Sequence, residues 1–263
     1  MEQNASEKSI ISLAPWFDTP AGAYARAWEQ ARLDELTADI FGYNAVQVGL
    51  PHIDTLAANR MPNRWITDHQ APAGPDGPAR QVVVVHDFAE LPFATQSLDL
   101  VVLPHVLEFA AEPHQVLREV ERVLIPEGQV IVCGFNPISM WGMRQAAGRM
   151  TGAHFLPLHG EFISVPRLKD WLKLLNMEIN RGHFGCYAPP CETDKWLQRF
   201  AFLEKAGNRW WPYLGALYVV QAIKRVKGMR LVGPAWQKKT ASVAGSVPVA
   251  NRMKNAQDMH GKS

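Results

Sequence analysis

Two carboxylates, a glycine and a histidine occupy places where an open α/β sheet presents side chains to a ligand. Asp87 closes the β-branched run 82–86. A carboxylate at the carboxyl end of a buried strand points into the crevice where such sheets bind their ligands. Asp68 ends the run 64–68 and lies 19 residues beyond Gly49, the separation expected between a phosphate- or cofactor-facing glycine turn and a ribose-hydroxyl acceptor. Gln70 is the alternative sugar ligand. His105 follows Pro104 after the apolar run 98–103; it can act as a general base or shape a pocket. Asn136 and Trp141, in FNPISMW, face the same crevice as possible acceptor contacts. Each residue also has a plain structural use: turn cap for Asp87, surface loop for Asp68, ordinary turn for Gly49, core histidine for His105, turn for Asn136, core packing for Trp141.

The elements that must position these residues alternate in type. Residues 22–40 have helical spacing, with Tyr24, Trp28, Ala31, Leu33 and Leu36 on one stripe. Strands are predicted over 45–50, 64–68, 82–86, 98–103 and 129–135, and a short helix near 53–60. A helix over 113–124 turns Val116, Leu117, Val120, Val123 and Leu124 inward, with Pro113 in its first turn. Residues 125–128 read as a turn, and 137–165 as an irregular insertion over the site. A helix over 166–176, strands near 177–184 and 214–224, and a helix over 192–206 complete the pattern. Strands alternating with helices imply a mainly parallel sheet covered on both faces.

Residues 81–135 carry a more specific pattern. It runs Asp87-Phe88, Leu91-Pro92-Phe93, Ser97-Leu98-Asp99-Leu100, His105-Val106-Leu107-Glu108-Phe109, then Arg122-Val123-Leu124-Ile125-Pro126-Glu127-Gly128. In order and spacing this resembles the class I S-adenosylmethionine-dependent methyltransferases of the ubiquinone and menaquinone type. The resemblance extends over roughly residues 40–225. It implies a Rossmann-like α/β fold, with a seven-stranded sheet ending in an antiparallel strand. It implies S-adenosylmethionine as cofactor, with Gly49, Asp68, Asp87, Phe88, Pro104 and His105 around it and Asp87 at the adenine amino group. It also implies an acceptor pocket to which Asn136 and Trp141 contribute. Two departures stand out. The glycine loop of the family, acid-x-Gly-x-Gly-x-Gly, is reduced here to Gln47-Val48-Gly49-Leu50-Pro51-His52-Ile53. Phe109 replaces the family's usual histidine.

Composition frames the function classes. The chain has 263 residues, 47% hydrophobic and 20% charged, as in an ordinary globular protein. Its organisation is expected to be a leader and helix over 1–40, a methyltransferase domain over 41–227, and a tail over 228–263. That tail carries a charge of +5 within a whole-chain charge of +2, and it reads as disordered. Cys133, Cys186 and Cys191 form no zinc-ligand spacing, so no metal is expected. No stretch is apolar enough to span a bilayer, which points to the cytoplasm. A nicotinamide oxidoreductase would need GxGxxG after the first strand, which is absent. The basic tail could neutralise phosphates, but the body is acidic and no Asn-Pro-Pro-aromatic tetrad is present, so nucleic acid is not the expected acceptor. Methyl transfer to a small molecule is the leading expectation. A non-catalytic binding module on the same fold is its alternative.

Overall fold

Seven strands form one sheet in the order β3-β2-β1-β4-β5-β7-β6. The computed structural model describes residues 13, 15–69, 84–151, 155–156, 161–191, 193–200 and 202–225. Gln70 and the tail over 228–263 lie outside the described residues. The strands are β1 (Asn44–Val48), β2 (Asn63–Asp68), β3 (Val84–Val85), β4 (Leu98–Pro104), β5 (Leu124–Phe135), β6 (Met177–Gly185) and β7 (Leu217–Lys224). Pairing is parallel from β3 through β5; β7 runs antiparallel to both β5 and β6. β1 and β4 lie in the middle and are buried almost throughout, which explains their unbroken apolar runs. Because β1 to β5 share a direction, Gly49, Asp68, Asp87, His105 and Asn136 all emerge along one edge.

Seven α-helices are described: α1 (Pro20–Ala38), α2 (Val106–Phe109), α3 (Pro113–Val123), α4 (Met140–Thr151), α5 (Val165–Leu174), α6 (Asp194–Arg199) and α7 (Phe202–Trp210). Thr19 caps α1 by accepting from the Gly22 amide at 3.1 Å. α3 buries Val116, Leu117, Val120 and Val123 as the spacing requires. Among the described residues no helix is long and apolar enough to cross a membrane.

Several local expectations are corrected. Residues 53–60 form turns, not a helix, with the Ile53 carbonyl and the Thr55 amide bound to the Gln47 side chain. Residues 125–128 lie inside β5 as an irregularity with Glu127 at φ 63°. The segment 137–165 contains α4. The stretch 192–206 divides into α6 and α7. The inward face of α1 is Ala21, Ala25, Glu29, Leu33 and Leu36, with Ala31 exposed. A charged Glu29 on that stripe reads as solvent-facing until its partner is known.

Among the motif residues, Leu91, Phe93, Asp99 and Arg122 make structural bonds. Arg122 donates to the carbonyls of Leu91 and Phe93, each at 2.9 Å, while pairing with Glu119 at 2.7 Å. The Leu91 amide donates to the same Glu119. One guanidinium thus ties the Leu-Pro-Phe turn to the end of α3. Asp99 accepts from the amides of Tyr43 and Asn44 at 3.0 and 2.9 Å, fixing the start of β1.

Candidate functional site

At the carboxyl end of β1 the chain turns through Gly49 at φ 76° and Leu50 at φ 47°. A Cβ at Gly49 would lie 3.0 Å from Val106 Cγ2 and 3.3 Å from the Phe88 ring. Glycine is required there by both the backbone angle and the close approach. The loop behind it is organised by Gln47, which is wholly buried. Its amide nitrogen lies 3.1, 3.0 and 2.8 Å from the carbonyls of Gly49, Leu50 and Ile53. Its oxygen accepts from the amide and hydroxyl of Thr55 at 3.0 and 2.8 Å. A carboxylate could satisfy Thr55 but has no N–H to offer the carbonyls, which the amide serves with two N–H groups, one of them shared; this is the physical reason an amide stands in place of the expected acid.

The predicted cofactor residues lie around this turn. Asp68 is nearly buried at the end of β2 and accepts from the His69 amide at 2.8 Å and faces the His69 ring at 2.9 Å. Asp87 is exposed after β3, and its carboxylate accepts from the Ala89 amide at 2.9 Å. Phe88 is buried with its ring between Gly49, His69 and His86. The two acids and the glycine turn suit a nucleoside. The Phe88 ring packs against this turn, close to the α-carbon of Gly49.

Pro104 and His105 end β4, where sequence reading offered His105 as a base. The structure places both ring nitrogens against carboxylates: Nε2 is 2.7 Å from Glu29 Oε1 and Nδ1 is 2.9 Å from Glu108 Oε2. Glu108 Oε1 accepts from the Phe135 amide at 2.5 Å. His105, Glu29 and Glu108 are all buried. Burial opposes charging the imidazole, but the Glu29 carboxylate and the hydrogen bonds to Glu108 and Glu29 outweigh it, and the ring is pushed up to about 10. Burial raises the Glu108 carboxyl, with the hydrogen bond from His105 partly offsetting it. This is a structural ion cluster. The general-base assignment is corrected, since no ring nitrogen is left to take a proton from an acceptor. His105 also adopts φ 57°, an unfavoured backbone for a residue with a side chain, held by the hydrogen bond its amide donates to the Cys133 carbonyl at 3.1 Å.

Glu29 is the residue that sequence reading missed. Its partner is 76 positions away, and nothing local to α1 marks it. Around the cluster, Trp16, Phe17, Phe135 and Trp141 pack edge to face, so the segment before α1 covers the β4–β5 end of the crevice. Trp141 is core, its indole donating to the Ala188 carbonyl at 2.8 Å. The Asn136 side chain bonds the carbonyls of Tyr213 and Gly215 at 2.8 and 3.0 Å, leaving it a structural tie. A cavity of about 280 Å³ beside it is lined by Pro137, Gly142, Gln145, Ala146, Glu161 and Phe162.

Comparison with known proteins bears on what this arrangement is. Residues 65–132 match the family described as a methyltransferase domain. The span includes Asp68, Asp87, the Arg122 clamp and the His105 segment. The seven-stranded sheet, parallel except for its antiparallel β7, has the Rossmann-like fold of methyltransferases. A SAM-dependent methyltransferase from Thermotoga maritima superposes with a TM-score of 0.61 at 15% identity, covering 86% of this chain and 100% of that one. A chain from the complex of the Haloferax volcanii Trm112 methyltransferase activator with a methyltransferase gives 0.55 at 15% identity, covering 82% and 97%. At such identities the likeness is one of fold. The uncharacterized protein YafS of Escherichia coli (strain K12) is 29% identical over 218 residues, 83% of each chain. Among the described residues no group of three or more His, Cys, Asp or Glu is arranged to hold a metal ion.

Two outcomes follow for this methyltransferase-fold chain. Gln47→Glu is expected to lower stability by about 2 kcal/mol or more, because three carbonyls lose their donor and a charge is buried; an unchanged denaturant midpoint would contradict the loop-organising role. The second concerns pH. A histidine whose folded pKa is raised contributes stability in full below its ordinary 6.5, and loses it as pH climbs towards about 10. The melting temperature of the wild type should therefore fall across that window. In Glu29→Gln the fall should move towards lower pH, and coincident curves would show that Glu29 does not hold the proton on His105.

Proposed function

We propose that the chain is an S-adenosylmethionine-dependent methyltransferase acting on a small-molecule acceptor. The observation that carries the reading is the glycine turn at Gly49, set between β1 and β4 at the switch point of the sheet, with Asp68 and Asp87 on the neighbouring strand ends. The methyltransferase-domain match over 65–132 supports it. Asp68 would accept from the ribose hydroxyls and Asp87 from the adenine amino group, with the Phe88 amide beside it. The bound cofactor supplies an activated methyl group on a sulfonium. The chain's own work is then to orient the acceptor and exclude water. The aromatic cover of Trp16, Phe17 and Phe135 suits water exclusion, and the cavity lined by Pro137 and Phe162 is a candidate for the acceptor. Three free cysteines, two of them buried, agree with a cytoplasmic location.

The Phe88 ring must leave the face of Gly49 for the adenosyl group to enter. We assign it as the gate, with a ligand-dependent cost in affinity. The same observation favours a second reading, in which the ring stays in place and the fold serves as a binding module. Calorimetry with S-adenosylhomocysteine separates them. The wild type is expected to bind, and Phe88→Ala to bind about tenfold more tightly, equivalent to ~1.4 kcal/mol. Asp87→Ala should remove binding without unfolding. If neither the wild type nor Phe88→Ala binds at saturating ligand, the enzyme reading falls and the binding-module reading stands.

A further inference from the structure

The segment that joins α7 to β7 carries large apolar side chains on the outside of the protein. Phe202, Trp210, Trp211, Tyr213 and Leu214 expose between 46% and 73% of their surface. The backbone beneath them is firmly held. The Trp211 amide donates to the Gly207 carbonyl at 2.8 Å and the Leu214 amide to the Trp211 carbonyl at 3.0 Å. The Tyr187 hydroxyl donates to the Pro212 carbonyl at 2.8 Å. Asn136 fastens the same turn to the segment after β5, where Ile138 and Met140 are also exposed. These aromatics are therefore displayed by a fixed scaffold, and an exposed apolar patch of this kind marks an interaction surface.

Charge narrows the partner. Lys195, Arg199, Lys205 and Arg209 are all exposed on α6 and α7. Of the two acids on these helices, Glu204 is turned inward, where its carboxylate accepts from the Tyr24 hydroxyl and the Tyr187 amide. The outward balance is cationic, interleaved with tryptophan, tyrosine and phenylalanine. A second copy of the chain would meet this patch with the same patch in a two-fold interface, setting cations against cations. An anionic bilayer meets it with phosphates, while the headgroup boundary accepts indole and phenol rings, apolar in body and polar at the tip. We propose that α6, α7 and the turn 211–214 form a docking surface for an anionic lipid bilayer, placing this protein at the membrane surface. The inference does not depend on the Gly49 crevice opening to a cofactor.

The test is co-sedimentation of the full chain with vesicles of phosphatidylcholine alone and of phosphatidylcholine mixed with phosphatidylglycerol. The wild type should pellet with the anionic vesicles, show a blue shift of tryptophan emission on binding, and be released by high salt. Trp210→Ser combined with Tyr213→Ser should weaken binding about tenfold or more, and Lys205→Glu combined with Arg209→Glu should remove the preference for anionic lipid. The sequence over 228–263 is retained in every variant, so a loss is assigned to the surface and not to that basic stretch. The proposal is overturned if the wild type stays in solution with both vesicle types, or if both paired variants bind as it does. It is equally overturned if the chain forms a dimer that Trp210→Ser with Tyr213→Ser dissociates, in place of lipid binding.

Discussion

The His105 imidazole, with each ring nitrogen against a buried glutamate, ties together the end of the sheet where β1 to β5 finish. Glu29 comes from α1, His105 from the end of β4, and Glu108 from α2, where it also receives the Phe135 amide of β5. Three separate parts of the chain are thereby brought to one point. Removing two carboxylates from water costs several kcal/mol each, and their attraction to one cation offsets this only when the geometry is good. Glu29 Oε2 has no hydrogen-bond partner among the described residues, so the cluster is not fully satisfied. Its value lies in position. It fixes the left-handed turn at His105 and seats the N-terminal helix across the β4–β5 end of the crevice.

The other half of the edge is organised by an uncharged group. Gln47 gathers three loop carbonyls and Thr55 around one amide, and the loop keeps its shape with a single glycine where the family uses three. Leu50 and Ile53 become core residues. The consequence is a tighter turn, against which the Phe88 ring can lie. A worn glycine motif is thus compatible with an intact fold.

Much of this was legible in the residues. The strand and helix order follows from β-branched runs alternating with amphipathic segments, and the 81–135 pattern marked the region that the methyltransferase-domain match overlaps. The Arg122 and Asp99 motif positions could be located but not interpreted, because their partners are backbone groups about thirty and fifty-five residues away. Of the two uses the sequence left open for His105, base or core histidine, the residues alone could not choose, for a related reason. Histidine after a strand suggests proton transfer until the acids facing both nitrogens are known, and Glu29 is separated from it by β1, β2, β3 and β4. Trp141 and Asn136 likewise point to the crevice by position, whereas their polar atoms are bound to backbone carbonyls. What sequence conveys poorly is long-range satisfaction of polar groups, which decides whether a reactive residue is free to react.

The most direct test of the account is the protonation state of His105, observed through its ring nitrogens by ¹⁵N nuclear magnetic resonance across the alkaline range. The account predicts that both nitrogens carry protons at pH 8, with titration only near pH 10. A neutral ring at pH 8, titrating near the ordinary histidine value of about 6.5, would contradict it.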